Sequence, residues 1–235
     1  GNFYSLPQSP QIYKQILMIA GFDRYYQIAR CLRDEDLRAD RQPEHTQIDV
    51  EMSFADADDI FRLTEGLVRH VFRKMLDKDV KVPFKRISYS ESMERYCTDK
   101  PDIRFGMECS TVTDIAKESE FMVFLDVIKK GGIVKVLNAE NSGEKLSRKQ
   151  IDELIEFAKE NVAEGLAWMK VTKNGLESSI VKFFPQKVQK QLLGKAKEND
   201  LLLFAADTPK IVNDVLSKIR LRLSKSLELV NPDDF

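Results

Sequence analysis

Histidine occurs only twice and cysteine only three times in 235 residues. Two histidines are too few for most histidine-based metal constellations. Cys31, Cys97 and Cys109 are odd in number and unrelated in spacing, which argues against both a disulfide framework and a zinc site and fits a reducing compartment. They read as inert small hydrophobes. Net charge is scarce as well: 37 basic against 38 acidic side chains leave −1. That excludes a broadly basic nucleic-acid binder, so any RNA contact has to come from a local patch. No apolar run approaches the length of a membrane span, and the first residues lack a basic-then-apolar signal pattern. There is no internal repeat and no low-complexity segment. The expectation is a soluble, cytoplasmic protein with no membrane partner and no metal ligands of its own, whose 43% hydrophobic content can bury a real core.

What is present is organised around residues 25–54, YYQIARCLRDEDLRADRQPEHTQIDVEMSF. Strands are expected at 24–32 and 46–54, with Tyr26, Ile28, Val50 and Met52 facing inward and a loop of arginines and carboxylates between them. Upstream, residues 3–6 read as a short strand. Pro7-Gln8-Ser9-Pro10 is a turn, and a helix carrying Ile12, Ile16, Leu17 and Ala20 on one face follows, ending at Gly21. Downstream, Asp56, Asp58 and Asp59 crowd the first turn of a helix whose buried stripe should be Ile60, Leu63, Leu67, Val71 and Met75, widened by Val68 and Phe72. His70 on that helix reads as structural. A strand at 84–89, a helix at 90–96 and a turn at 98–102 lead to a domain boundary expected around 103–115.

The second half has a different texture. Two apolar runs, 121–125 and 133–137, flank Lys129-Lys130-Gly131-Gly132 and predict a β-hairpin. Ser147 to Gln150 is a capping box before a helix with Ile151, Leu154, Ile155, Ala158 and Val162 on its buried face. A strand at 166–172, a helix at 186–197, a strand at 201–205 and a helix from Pro209 to about residue 223 complete an α+β unit over roughly 110–220. Trp168 reads as packing rather than a base-stacking platform, and the lysines of 187–197 as a solvated face with at most a weak tRNA contact. The opening at residue 3 and the linker-like 231–235 give both ends the look of a cut from something longer.

The loop Arg33-Asp34-Glu35-Asp36-Leu37-Arg38-Ala39-Asp40-Arg41-Gln42-Pro43-Glu44 follows the order Arg-x-Glu, loop, Arg-x-x-x-aromatic position, and resembles motif 2 of the class II aminoacyl-tRNA synthetases. With Thr46-Gln47-Ile48-Asp49 added, it resembles the bacterial-type aspartyl-tRNA synthetases. The segment Leu6-Pro7-Gln8-Ser9-Pro10-Gln11-Ile12-Tyr13-Lys14-Gln15 is similar to their amino-acid-recognition segment. Tyr96-Cys97-Thr98-Asp99-Lys100-Pro101-Asp102-Ile103-Arg104 is similar to the stretch before their insertion. The resemblance implies an α+β fold: a partial class II antiparallel-sheet core over 1–109, an inserted GAD-like domain over 110–220, and a return segment over 221–235. Nothing resembles motif 1 or the arginine-ending motif 3, so the chain alone is expected to be inactive.

The implied chemistry joins the carboxylate of L-aspartate to the α-phosphate of ATP and then charges tRNA, with Mg2+ in the complete enzyme and a homodimeric parent. Bringing two anions together calls for a planar cation, and Arg33 is the match. It would also steady the charge that develops on the transferring phosphoryl group. The resemblance adds Asp34, Glu35, Arg41 and Gln42 as ATP contacts. It places His45 where phenylalanine usually stacks on adenine, with less stacking area. For aspartate it implies Gln11 on the ammonium group and Lys14 on the side-chain carboxylate. Asp49 either orients Lys14 or pairs with a loop arginine. If asparagine left Lys14 without a counter-charge, a cost of ~3–5 kcal/mol would follow, which is rejection by roughly a hundred- to several-thousand-fold. Two alternatives stay open: an asparaginyl-type synthetase, and a non-catalytic binding module related to accessory domains of tRNA amidotransferases.

Overall fold

The computed structural model describes residues 7–34, 36, 41–161, 163–231 and 233–234. The chain divides into two compact units, Gly1–Lys85 and Arg86–Phe235. The expected strand at 3–6 lies outside the described residues.

In the first unit, α1 (Gln11–Ile19) follows the proline turn and ends where Gly21 takes a left-handed φ of 94°. β1 (Arg24–Leu32) and β2 (Glu44–Met52) form a two-stranded antiparallel hairpin. α2 (Ala57–Leu76) opens with reciprocal caps, Asp59 N donating to Asp56 Oδ1 and Asp56 N to Asp59 Oδ2, both at 3.0 Å. Two expectations of burial fail here. Tyr26, Ile28 and Val50 are exposed, Met52 is half-buried, and the buried hairpin residues are Ala29, Cys31 and Asp49. The reason is that α1 lays a lysine, not its isoleucines, against the opposite face. The α2 stripe is also uncovered: Ile60, Leu63, Leu67 and Val71 are more than 40% exposed, and the helix buries no residue. Amphipathic periodicity identified the helix correctly, but it cannot say whether a partner surface lies within the same chain.

The second unit is built on a five-stranded antiparallel sheet of order β3-β4-β7-β5-β6. Its strands are β3 (Cys109–Thr111), β4 (Ile133–Ala139), β5 (Ala167–Thr172), β6 (Gly175–Glu177) and β7 (Leu201–Asp207). Before it comes α3 (Tyr89–Tyr96), and around it α4 (Thr113–Lys117), α5 (Met122–Lys129), α6 (Arg148–Glu160), α7 (Gln186–Leu193) and α8 (Pro209–Ser226). The run Leu201-Leu202-Leu203-Phe204-Ala205 is apolar without alternation, as expected of a strand covered on both faces. Leu201, Leu203 and Ala205 pack with Ile151, Leu154, Val212 and Ile219, while Leu202 and Phe204 pack with Phe124, Val188 and Leu192. Helices therefore sheathe both sides of one sheet. Ser147 and Gln150 form the expected capping box of α6. Trp168 is half-buried, with the Arg148 guanidinium 5.0 Å from its ring.

The structure departs from four sequence expectations here. Residues 121–125 are not a strand but lead into α5. Phe121, Phe124 and Ile128 are spaced for a helix face, and Phe121 meets Phe124 edge-on at 4.8 Å. A short apolar run is ambiguous between the two periods, and the Lys-Lys-Gly-Gly turn joins a helix to β4. Residues 84–88 form no strand, having no pairing partner among the described residues. The helix expected at 186–197 stops at Leu193. The division between units also lies upstream of 103–115, because Cys97, Phe105, Met107 and Cys109 share a core with the sheet.

Two buried cations hold residues 86–109 in that unit. Arg220 of α8 donates from Nε to Met107 O (3.0 Å) and from Nη2 to Phe105 O (3.0 Å) and Gly106 O (2.9 Å), with its carbon 4.0 Å from the Phe105 ring centre. Lys135 of β4 donates to Met93 O (2.7 Å), Glu94 O (3.2 Å) and Asn213 Oδ1 (3.2 Å), and pairs with Glu94 Oε2 at 3.2 Å. A cation at the carbonyl end of α3 suits the helix dipole. Burial works against ionisation of Glu94, but the Thr111 amide and hydroxyl and the Lys135 ammonium outweigh it and hold its carboxyl below the ordinary value.

Arg220→Met removes the donors of three carbonyls, so it should cost roughly 3 kcal/mol or more; urea unfolding read by Trp168, the single tryptophan, measures it. Because the folded Glu94 has the lower pKa, its contribution is present above the ordinary carboxylate pKa of about 4.3 and is lost as pH falls through the lowered value. Glu94→Gln should flatten the acid limb of the stability–pH curve, and an unchanged slope would show that this carboxylate is not linked to folding.

Candidate active site

β1 and β2 keep unbroken register from Arg24↔Met52 to Leu32↔Glu44. Since side chains alternate across a strand, Ala29 and Cys31 share a face with His45, Gln47, Asp49 and Glu51. The two small side chains lie opposite Gln47 and His45 respectively. That leaves room on this face for polar groups, which are the ones found there.

Lys14 reaches this face from α1. Its side chain is nearly fully buried, with Nζ 3.0 Å from Asp49 Oδ1 and 3.2 Å from Glu51 Oε2. Gln47 Nε2 donates to the same Asp49 oxygen at 2.9 Å, and Gln47 Oε1 accepts from Arg33 Nη2 at 3.4 Å. The Cys31 thiol adds a weak donor to Gln47 Oε1 at 3.7 Å. Arg33 is anchored at its backbone by Pro43 O (2.7 Å), and its Nε donates to Gln8 O at 3.4 Å. The residues before α1 lie along the strand end, with Leu32 N donating to Pro7 O at 2.9 Å. One polar chain thus runs Lys14–Asp49–Gln47–Arg33.

Burial pushes the Lys14 amine towards neutrality, but the hydrogen bonds and charges of Asp49 and Glu51 outweigh it and raise its pKa above the ordinary lysine value. Lys14 is therefore a fixed cation at neutral pH. Asp49 is 4% exposed; its Oδ2 is buried and has no hydrogen-bond partner among the described residues. A buried, unpaired carboxylate oxygen is costly, and its presence beside a cation marks a place for a donor.

Lys14, Arg33 and Asp49 are brought together, and Asp49 pairs with Lys14. His45 is half-buried on the same hairpin face, in register with Cys31. Gln11, Asp34, Arg41 and Gln42 are exposed, and Glu35 lies outside the described residues. Gln47 and Glu51 were not singled out from the sequence. The signal was present in Thr46-Gln47-Ile48-Asp49-Val50-Glu51, where period two puts Gln47 and Glu51 beside Asp49 and leaves Ile48 and Val50 on the reverse. Glu51 also corrects the specificity estimate. With two carboxylates at its amine, Lys14 keeps a counter-charge whatever ligand is bound, so rejection of asparagine cannot rest on an orphaned Lys14.

A family model described as tRNA synthetases class II (D, K and N) matches residues 1–225. The chain belongs to that family. Among curated relatives, it is 51% identical over 237 residues to an aspartate–tRNA(Asp/Asn) ligase of Caldanaerobacter subterraneus subsp. tengcongensis, covering 100% of this chain and 40% of the relative. It is 54% identical over 238 residues to the enzyme of the same name from Geotalea uraniireducens, with the same shares covered. To an aspartate–tRNA ligase of Bacillus licheniformis it is 50% identical over 237 residues, again 100% of this chain and 40% of the relative. The chain thus spans about two fifths of the length of these relatives.

Lys14→Met leaves Asp49 as a buried charge without its cation and should cost roughly 3 kcal/mol, since breaking a buried pair costs about 3–5. Adding Asp49→Asn should recover more than 1 kcal/mol of it, by the logic of a double-mutant cycle. Strictly additive losses in urea unfolding would show that the two side chains do not interact.

Proposed function

We propose that the parent enzyme is an aspartate–tRNA ligase, activating L-aspartate with ATP to aspartyl-adenylate and passing the aspartyl group to the 3′ end of tRNA. The observation that carries this reading is the pair of fixed cations, Lys14 and Arg33, joined through Asp49 and Gln47 on one hairpin face. The extent of identity to enzymes named aspartate–tRNA ligases supports it.

In this reading Lys14 directs its remaining N–H to the side-chain carboxylate of aspartate, while Asp49 and Glu51 fix the position of its amine. Arg33, held at its backbone and through Gln47, bridges the reacting carboxylate and the α-phosphate. A planar fork suits that position because it offers parallel donors to both anions. The nucleophile is the substrate's own carboxylate, so the protein's part is to align two anions and neutralise charge as pyrophosphate departs. Lys14, Asp49 and Glu51 together carry −1, so binding a further carboxylate calls for Arg33 or another cation to balance it. Gln11, Asp34, Glu35, Arg41, Gln42 and His45 are assigned to the ammonium group and the nucleotide as the family resemblance implies. Mg2+ is expected with ATP. Among the described residues no group of three or more His, Cys, Asp or Glu side chains could hold it, and no step is assigned to it.

Residues 110–220 are read as the GAD-like insertion and 221–235 as the return towards the core, supported by the sheet and its two helical layers. A cytoplasmic homodimeric parent rests on the family resemblance; no helix among the described residues is long and apolar enough to cross a membrane. Charging of aspartate tRNA alone, or of asparagine tRNA as well, is distinguished by assaying both, since relatives of either name match at similar identity.

The test is ATP–pyrophosphate exchange by the full-length protein. Exchange should depend on aspartate and not asparagine, and Arg33→Lys should slow it ~100-fold or more. Exchange driven by asparagine, or indifferent to either amino acid, overturns the assignment.

A further inference from the structure

The polar face of the hairpin carries more negative than positive charge around Lys14. Its Nζ lies 3.0 Å from Asp49 Oδ1 and 3.2 Å from Glu51 Oε2, so two carboxylates face one ammonium. Among the described residues, neither carboxylate pairs with a second cation. On β1 the residues in register with Glu51 and Asp49 are Tyr25 and Gln27, neither of them a cation. Arg33 is joined to Asp49 through the uncharged Gln47 amide. The surplus charge is open to a ligand: the Glu51 side chain is 38% exposed, and the buried Asp49 Oδ2 has no hydrogen-bond partner among the described residues.

We propose that Glu51 is a specificity-determining residue that selects ligands bearing an ammonium group, and so separates L-aspartate from dicarboxylates that lack one. On the aspartate reading of the site, on which this rests, Lys14 and Arg33 each take one carboxylate of the substrate. Succinate, which is aspartate without its amino group, brings the same two carboxylates. The two cations therefore cannot tell these ligands apart, and the difference has to be read at the amino group. A neutral amide such as Gln11 can orient an ammonium but does not balance its charge. A surplus carboxylate balances it through the field of the site, without having to touch it.

The two carboxylates differ in what else they do. Asp49 Oδ1 is held by both Lys14 and Gln47, so changing Asp49 disturbs the whole polar chain that ends at Arg33. Glu51 stands at the outer end of that chain and meets Lys14 alone among the described residues. Its charge repels the carboxylates of either ligand alike and attracts the ammonium that only aspartate carries. The ratio of the two affinities therefore isolates the attraction to the ammonium. Glutamine at this position keeps an oxygen acceptor for Lys14 Nζ and removes only the charge. A role confined to holding the Lys14 amine would act equally on both ligands, since both bring the same carboxylate to it.

The experiment measures Kd for L-aspartate and for succinate by calorimetry on the full-length protein without ATP. The wild type should bind aspartate more tightly than succinate. In Glu51→Gln the preference for aspartate should fall roughly tenfold, as expected for one charge pair in a partly solvated site, with succinate binding strengthened. Glu51→Asp, which restores the charge, should keep the wild-type preference to within about threefold. If Glu51→Gln does not fold by circular dichroism, Glu51→Thr, uncharged and suited to a strand, takes its place. An unchanged preference in the uncharged variant, or parallel weakening of both ligands, overturns the proposal and leaves Glu51 a structural partner of Lys14. A wild type that binds both ligands equally also overturns it, whereas a wild type that binds neither overturns the aspartate reading on which it stands.

Discussion

A buried lysine held between two carboxylates is the constraint on which the candidate site depends. Lys14 cannot shed its proton while Asp49 and Glu51 face it, and Asp49 cannot leave the interior while Lys14 and Gln47 hold one of its oxygens. This fixes α1 against one face of the hairpin and, through Gln47, sets the angle at which Arg33 leaves β1. Such an arrangement is a poor choice for stability, because desolvating charges takes back most of what their attraction gives. It is a good choice for orientation, because each member has few alternative partners. The proline turn at residues 7–10 adds to this by bringing the Pro7 and Gln8 carbonyls to the strand end.

The second unit is held by different means. Its sheet is apolar on both faces and its helices lie on either side, so hydrophobic burial dominates. Among the described residues, three of its buried polar side chains satisfy irregular or helix-end backbone. Arg220 serves three successive carbonyls, Lys135 serves the end of α3, and Asp200 accepts from Asn138, from the Asn141 amide and from the Lys197 amide. Each is a side chain substituting for secondary structure that the loop cannot make.

Much of this was legible in the sequence where a local rule decides the outcome. β1, the acidic first turn of α2, the capping box of α6, the first-turn proline of α8 and the strand at Leu201 follow from helix-end chemistry and periodicity. The Arg33 loop was legible through its order of residues. The failures share a cause. Residues 121–125 fit either period, and only packing between Phe121, Phe124 and Phe184 resolves them. The inward face of the hairpin was assigned by hydrophobicity, but the buried side is the polar one, because the site rather than the core occupies it. Gln47 and Glu51 became visible only once Lys14 was seen to cross from another element.

The uncovered apolar faces of the first unit have a thermodynamic consequence. Tyr26, Ile28 and Ile48 on the hairpin keep most of their surface in water while folded, and Val50 and most of the α2 stripe about two fifths of theirs, so unfolding this unit exposes less additional apolar surface than its apolar content would give. The heat-capacity change of unfolding is set by that surface. For residues 1–85 it is therefore reduced, the stability curve is flatter, and the denaturant dependence is weaker for the length of chain involved. The second unit, with its sheet covered on both sides, has a steep transition of the ordinary kind, so the two halves answer differently to temperature.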